Sequence, residues 1–189
     1  MPTAVFIDGG YLDKIMYFDH ANARVDYQHL VSELAAPDSL FRAYYYHCMP
    51  YQGNPPTAEE RDRYASKHRF ITAISGLARF EVRLGRLAKV GVGTDGRPIF
   101  VQKRVDCMVG VDMALLAGKR TITNMCLISG DSDLIPAVEA VKREGVIVTL
   151  CHGSNSVNSR PSHDLMNVCD ERHEITPAIV NKVRMNRGR

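Results

Sequence analysis

Three short apolar runs, at residues 4–7, 125–128 and 146–150, constrain this chain more than any other feature. They lack the strict polar/apolar alternation of a sheet with one wet face. Runs of this kind are buried on both faces, the condition of strands in a parallel sheet covered by helices. With 189 residues, 45% apolar and 24% charged, the chain has the composition of one ordinary α/β domain, which excludes disordered and collagen-like structure. A chain of this size can bury about 70% of its unfolded surface without disulfides or a structural metal.

Helix signals fall between the strands. Tyr27, Leu30, Val31 and Leu34 recur at helical spacing behind a capping Asp26. Thr57 and Glu60 form a capping box for a helix to about residue 78. A further helix spans 105–116. Pro136 opens another, with Val138 and Val141 on its apolar side and Gly145 at its end. Residues 164–169 suit a short helix before a last strand near Glu174. Residues 41–47, with Tyr44, Tyr45 and Tyr46, read as a second strand. Residues 80–90 and 99–101 read as a hairpin or edge pair, and Gly9-Gly10 as a turn. Strand and helix alternate along most of the chain, so a doubly wound, mainly parallel sheet in a three-layer α/β/α arrangement is expected. One domain is expected over residues 1–177, followed by a basic tail over 178–189.

The apolar run nearest the start is four residues long and ends at Asp8, too short for a signal peptide or a membrane span. A soluble, unexported protein is expected, with no membrane partner. The five cysteines form no CxxC pair, which suits a reducing cytoplasmic setting and gives no zinc motif. The net charge of +3 is unevenly spread. Residues 61–104 hold eleven Lys or Arg against the acids Asp62, Glu81 and Asp95, and Lys182, Arg184, Arg187 and Arg189 follow without any acid. Both segments suit an anionic partner, and equally a solvated surface.

In a doubly wound sheet, ligands sit beyond the carboxyl ends of the strands, and here those ends are acidic. Asp8 ends the first run, Asp131 and Asp133 follow the central one, and Asp106 opens a helix on the same side. Two unit charges about 5 Å apart at an effective dielectric of about 20 repel by roughly 3 kcal/mol. Four converging carboxylates therefore require a cation, protonation or separation. Oxygen ligands without Cys or His suit Mg²⁺ or Mn²⁺, ions that align a phosphodiester and activate water. Each acid also has a plainer use: Asp131, Asp133 and Asp106 suit helix capping. Asp112 lies six residues beyond Asp106, about 9 Å along a helix axis, so the two do not share one ligand position. Asp8 is hardest to explain structurally, because a carboxylate ending a buried strand needs a partner.

Together these segments resemble a known family. Val5-Phe6-Ile7-Asp8-Gly9-Gly10, Val105-Asp106 with Asp112, Ile128-Ser129-Gly130-Asp131-Ser132-Asp133-Leu134, and Gly153-Ser154 with Ser159 and Leu165 are similar to the bacterial NYN domain of the LabA-like type. That family is related to PIN-domain and flap-type nucleases. The resemblance runs over residues 3–176 and implies a PIN-like sheet. It also implies a metal site of Asp8, Asp106 or Asp112, Asp131 and Asp133, and divalent-metal-dependent RNA cleavage. Many relatives carry Asn shortly after the first Asp, where this chain has Gly10-Tyr11.

Other strand-end chemistries do not match. A haloacid-dehalogenase phosphatase needs Asp where Gly10 stands, a response-regulator receiver needs Lys near residues 149–152, and no GxGxxG loop is present. The leading expectation is a metal-dependent endoribonuclease on single-stranded RNA, with DNA as a second substrate class. Ser129, Gly153 and Ser154 are expected at the phosphate, Lys103 and Arg104 on the nucleic-acid backbone, and Tyr11 stacked on a base or packed in the core. Arg61, Arg63, Lys67 and Arg69 form a second basic stripe. The alternative is a non-catalytic nucleic-acid-binding or regulatory module of the same fold. The histidines receive no role.

Overall fold

The structure, a computed structural model, describes residues 1–94, 96, 98–154 and 156–185. Its centre is β1 (Pro2–Asp8), hydrogen-bonded in parallel to β2 (Ser39–Cys48) on one side and β5 (Asn124–Ile128) on the other. Beyond β2 lies β3 (Phe80–Val92), and beyond β5 lie β6 (Ile147–His152) and β7 (Glu171–Glu174), all parallel. β4 (Pro98–Lys103) alone runs antiparallel, returning along the outer part of β3. The sheet order is therefore β4-β3-β2-β1-β5-β6-β7. The chain winds one way from β1 and then the other, so the switch point lies between the carboxyl ends of β1 and β5.

The inner strands are buried on both sides, as their unbroken apolar runs require. Val5, Ile7, Ala43 and Tyr45 face a layer made by α1 (Gly9–Asp19), α2 (Tyr27–Ala35), α3 (Ala58–Ser75) and α7 (Pro177–Val183). Ala4, Phe6, Tyr44 and Tyr46 face α4 (Val105–Gly118), α5 (Ile135–Arg143) and α6 (His163–Val168). Phe6 stacks on Tyr44 with ring centroids 4.8 Å apart. The three-layer α/β/α expectation holds.

Local signals act as anticipated at several ends. Asp26 accepts a hydrogen bond from the His29 amide, and Thr57 and Glu60 form the full capping box. Two features differ. Gly9-Gly10 is not a turn but the first turn of α1, capped by Asp8. The expected tail begins with α7, which Thr176 caps and whose Ile179, Val180 and Val183 are buried against the α2 side, so ordered packing continues to Val183. Lys182 pairs with Glu33 on α2. The tail residues Arg187 and Arg189, and Asp95 of the hairpin, lie outside the described residues.

The placing of α4 depends on one glycine. A Cβ on Gly85 would lie 2.6 Å from Val105 Cγ2 and 2.7 Å from the Lys103 carbonyl oxygen. Only a residue without a side chain lets β3 pass beneath the β4–α4 junction that carries Asp106. Gly85→Ala is expected to cost about 1–3 kcal/mol through overpacking, lowering Tm by about 3–10 °C for a domain of this size. Thermal unfolding checks this, with an unchanged Tm as the contrary result.

Candidate active site at the carboxyl edge of the sheet

Asp8 ends β1 at the switch point. One of its oxygens accepts hydrogen bonds from the backbone N–H of Gly10 (2.9 Å) and of Tyr11 (3.2 Å), so the carboxylate caps α1 and sits at the positive end of that helix. Burial raises its pKa above the ordinary aspartate value. The Tyr11 and Gly10 amides oppose the rise, Asp106 adds to it, and nearby His47 opposes it.

Asp106 is in the first turn of α4 and is not the cap; that position belongs to Arg104, which makes no side-chain capping bond and adopts a left-handed φ of 77°. Burial raises the Asp106 pKa as well, and the charges of Asp131 and Asp133 raise it further. Asp131 caps the short 3-10 turn Ser132–Leu134 by accepting from the Asp133 amide at 3.0 Å, so its expected capping use is real. It and Asp133 are nevertheless exposed at the rim. Asp8, Asp106, Asp131 and Asp133 are thus linked electrostatically, with Asp106 between the switch point and the β5 loop.

The four carboxylates expected on one edge do lie near it, but they do not form a closed cage. Among the described residues, no three carboxylate, imidazole or thiol groups stand close enough to enclose a metal ion. The donors do suit a hard cation held more openly, since Mg²⁺ typically keeps several waters and is bound by one or two carboxylates with substrate phosphate. Asp8 and Asp106, both partly buried and both destabilised as anions, are the donors that fit.

Several expected site residues are otherwise engaged. Asp112 accepts from the Tyr46 hydroxyl at 2.8 Å and from Arg83 Nε at 3.2 Å, so its charge is spent on β2 and β3 and it is not an alternative to Asp106. Tyr11 is 6% exposed, and its hydroxyl donates to the Ser159 carbonyl at 2.7 Å, which leaves no ring face for a base. A Cβ on Gly130 would lie 2.6 Å from that ring, which explains the glycine in Ser-Gly-Asp. Ser129 is fully buried and accepts from the Asp131 amide at 3.3 Å, shaping the loop rather than meeting a phosphate. Gly153 is buried, and its amide donates to the Tyr11 hydroxyl. Ser154 donates to Asp19 from both its amide (2.8 Å) and its hydroxyl (2.9 Å). Burial opposes ionisation of Asp19, but bonds from Ser159, Ser154 and Ser156 hold its pKa below the usual range. Gly153 and Ser154 therefore tie a loop to α1. Lys103 and Arg104 stay exposed beside Asp106.

Two residues without an assigned role border the site. The Gln102 amide nitrogen lies 3.6 Å from where a Gly10 side chain would begin. His47, at the end of β2, approaches Asp13 at 3.2 Å and Lys67 Nζ at 2.8 Å. The rule that strand ends carry the chemistry points to His47 as it does to Asp8. Gln102 lies on the edge strand, where only the fold shows which end meets the site.

The fold matches known proteins. The NYN domain family model aligns with residues 2–176, and the chain belongs to the NYN domain family, whose members have a PIN-like nuclease fold. It is similar in structure to a protein of unknown function, VPA0982 from Vibrio parahaemolyticus RIMD 2210633. The TM-score is 0.61 and the identity 18%, over 97% of this chain and 96% of that one. No curated protein matches the chain. No helix among the described residues is long and apolar enough to cross a membrane.

The raised pKa of Asp8 has a stability consequence. Below the unfolded-state value both states are protonated and the buried group costs nothing. As pH rises through that value the unfolded state ionises first, and the penalty is complete above the higher folded value. Asp8→Asn keeps an oxygen to cap α1 but never ionises. It is expected to melt above the wild type at neutral pH, with the gap closing toward pH 3. Melting temperatures of the two proteins across pH check this, and a variant less stable at neutral pH would contradict it.

Proposed function

We propose that this chain is a divalent-metal-dependent endoribonuclease of the LabA-like NYN type. In this reading it hydrolyses single-stranded RNA, with DNA as a second substrate class, at the carboxyl edge of β1 and β5 in the cytoplasm. The observation that carries the reading is the juxtaposition of Asp8 and Asp106. They come from elements far apart in sequence, they share the switch-point edge, and each is disfavoured as an anion. Such a pair does not stabilise the isolated chain, and a bound cation would relieve it.

Asp8 and Asp106 would hold Mg²⁺ or Mn²⁺, with Asp131 and Asp133 extending the negative field at the rim. The ion, when bound, polarises the phosphodiester and its attacking water. The remaining work falls to the chain. The Gly10 and Tyr11 amides fix the Asp8 carboxylate, leaving its second oxygen for a ligand. Asp131, held by its cap, keeps one orientation beside Asp106. Exposed Lys103 and Arg104 neutralise backbone phosphates on the hairpin side.

A second reading is supported by the open spacing of the donors, no three of which enclose an ion among the described residues: a nucleic-acid-binding module that does not turn over. The two differ in measurable ways. With labelled single-stranded RNA and Mg²⁺ or Mn²⁺, the wild type is expected to cleave and EDTA to stop it. Asp131→Asn is expected to lower the cleavage rate by about 100-fold or more while binding RNA as well or better. Mn²⁺ is expected to raise the wild-type Tm and to leave that of Asp8→Asn unchanged. Cleavage unaffected by Asp131→Asn would overturn the site, and RNA binding without cleavage under either metal would favour the second reading.

A further inference from the structure

Beside the acidic edge, a groove of about 1090 Å³ opens between α1 and α3. It begins at Gly10 and Gln102, next to Asp8, and runs outward along the exposed side of α1. Its size is at the upper limit of the roughly 300–1,000 Å³ typical of small-ligand pockets. Among the described residues four cations line it, Lys14, Arg24, Arg63 and Lys67, against one lining acid, Asp13, while Arg63 also approaches exposed Glu59 of its own helix at 4.0 Å. Asp13 is already engaged by Lys67 at 3.6 Å and His47 at 3.2 Å. The groove is therefore positive although it adjoins a negative site.

It also holds two aromatic side chains that the fold does not use. Tyr17 and Phe18 are 62% and 49% exposed. Their rings are perpendicular, with centroids 4.9 Å apart, so they offer faces in different directions rather than one shared slot. Buried Leu12, Ile15 and Met16 already dock α1 on the sheet, so Tyr17 and Phe18 add little to stability. Cations that track a backbone, interleaved with aromatic faces that accept bases, are the recognition chemistry of a single nucleic-acid strand. A duplex keeps its base faces stacked and cannot use them.

We propose that this groove is the track of a single nucleic-acid strand adjoining the acidic site, with Lys14, Arg63 and the Lys67–His47 pair on its phosphates and Tyr17 and Phe18 stacked on its bases. This rests on the nuclease reading for the neighbouring site, where Lys103 and Arg104 meet the phosphates next to the acids, and carries the strand away from that point along the α1–α3 side rather than along the β3–β4 hairpin.

The test is fluorescence anisotropy in EDTA at fixed ionic strength, using the full chain and a labelled oligouridylate of about 12 nucleotides. Tyr17→Ala/Phe18→Ala is expected to weaken binding about tenfold or more, and Lys14→Glu to weaken it and flatten its salt dependence. Arg143→Ala, on α5 behind the sheet, is expected to bind as the wild type does. The chain contains no tryptophan, so Tyr17→Trp introduces a single reporter. Its emission should be quenched by the oligomer and not by a duplex of the same sequence, which gives an answer even if the double variant fails to fold. Wild-type affinity in a folded double variant, or no quenching, overturns the track. If Lys103→Glu/Arg104→Glu then abolishes binding while the wild type still cleaves RNA, the strand lies along the hairpin and the nuclease reading survives. A wild type that neither binds nor cleaves removes both.

Discussion

The interaction on which the rest of this molecule depends is the capping of α1 by Asp8. Two backbone amides bind one oxygen of a carboxylate that the sheet has largely removed from water. This ends the central strand, starts the helix that covers it, and leaves a second oxygen at the point where the winding reverses. The amides offset only part of the desolvation, because the pKa still lies above the ordinary value. Asp106 adds repulsion from the other face of the sheet, brought there by the close passage of β3 under the β4–α4 junction at Gly85. Local capping and long-range packing thus concentrate unfavourable charge at one edge, and that edge is where the topology opens a crevice.

Much of the fold was legible because its determinants are local. Unbroken apolar runs identify strands covered on both faces, and capping residues mark the starts of α2 and α3. α1 was hidden by its first two residues, since paired glycines are poor helix formers and good turn formers. Their presence has a remote cause: at Gly9 a side chain would run into Tyr45 and His47 of β2. α7 was hidden by its charge. Lys182 and Arg184 suggested a solvated tail, whereas Ile179, Val180 and Val183 pack on the core and Lys182 is paired with Glu33.

The acidic edge was legible to the same extent and failed in the same way. The strand-end rule located Asp8, Asp106, Asp131 and Asp133, because it depends only on element order. It could not show that Asp112 is consumed by Tyr46 and Arg83, two strand residues distant in sequence. Nor could it show that Tyr11, Gly153 and Ser154 serve the loop around the site rather than a ligand, since Tyr11 meets Ser159 and Gly153, and Ser154 meets Asp19, each pair more than a hundred residues apart.

The distribution of charge separates structural from functional groups. Arg83, Asp112, Asp19 and Lys142 all find partners, and each helps hold neighbouring elements together. Asp8 and Asp106 have no cationic side chain bonded to them among the described residues, although cations lie close by in sequence at Lys103 and Arg104. The left-handed backbone at Arg104 adds a local cost at the same junction. Asp8 and Asp106, drawn from water without a cationic partner among the described residues, cost stability in the isolated chain. In the proposed reading a metal ion at Asp8 and Asp106, with phosphates at Lys103 and Arg104, would remove that cost, so the features that oppose folding are the ones that a phosphodiester substrate with its cation would satisfy.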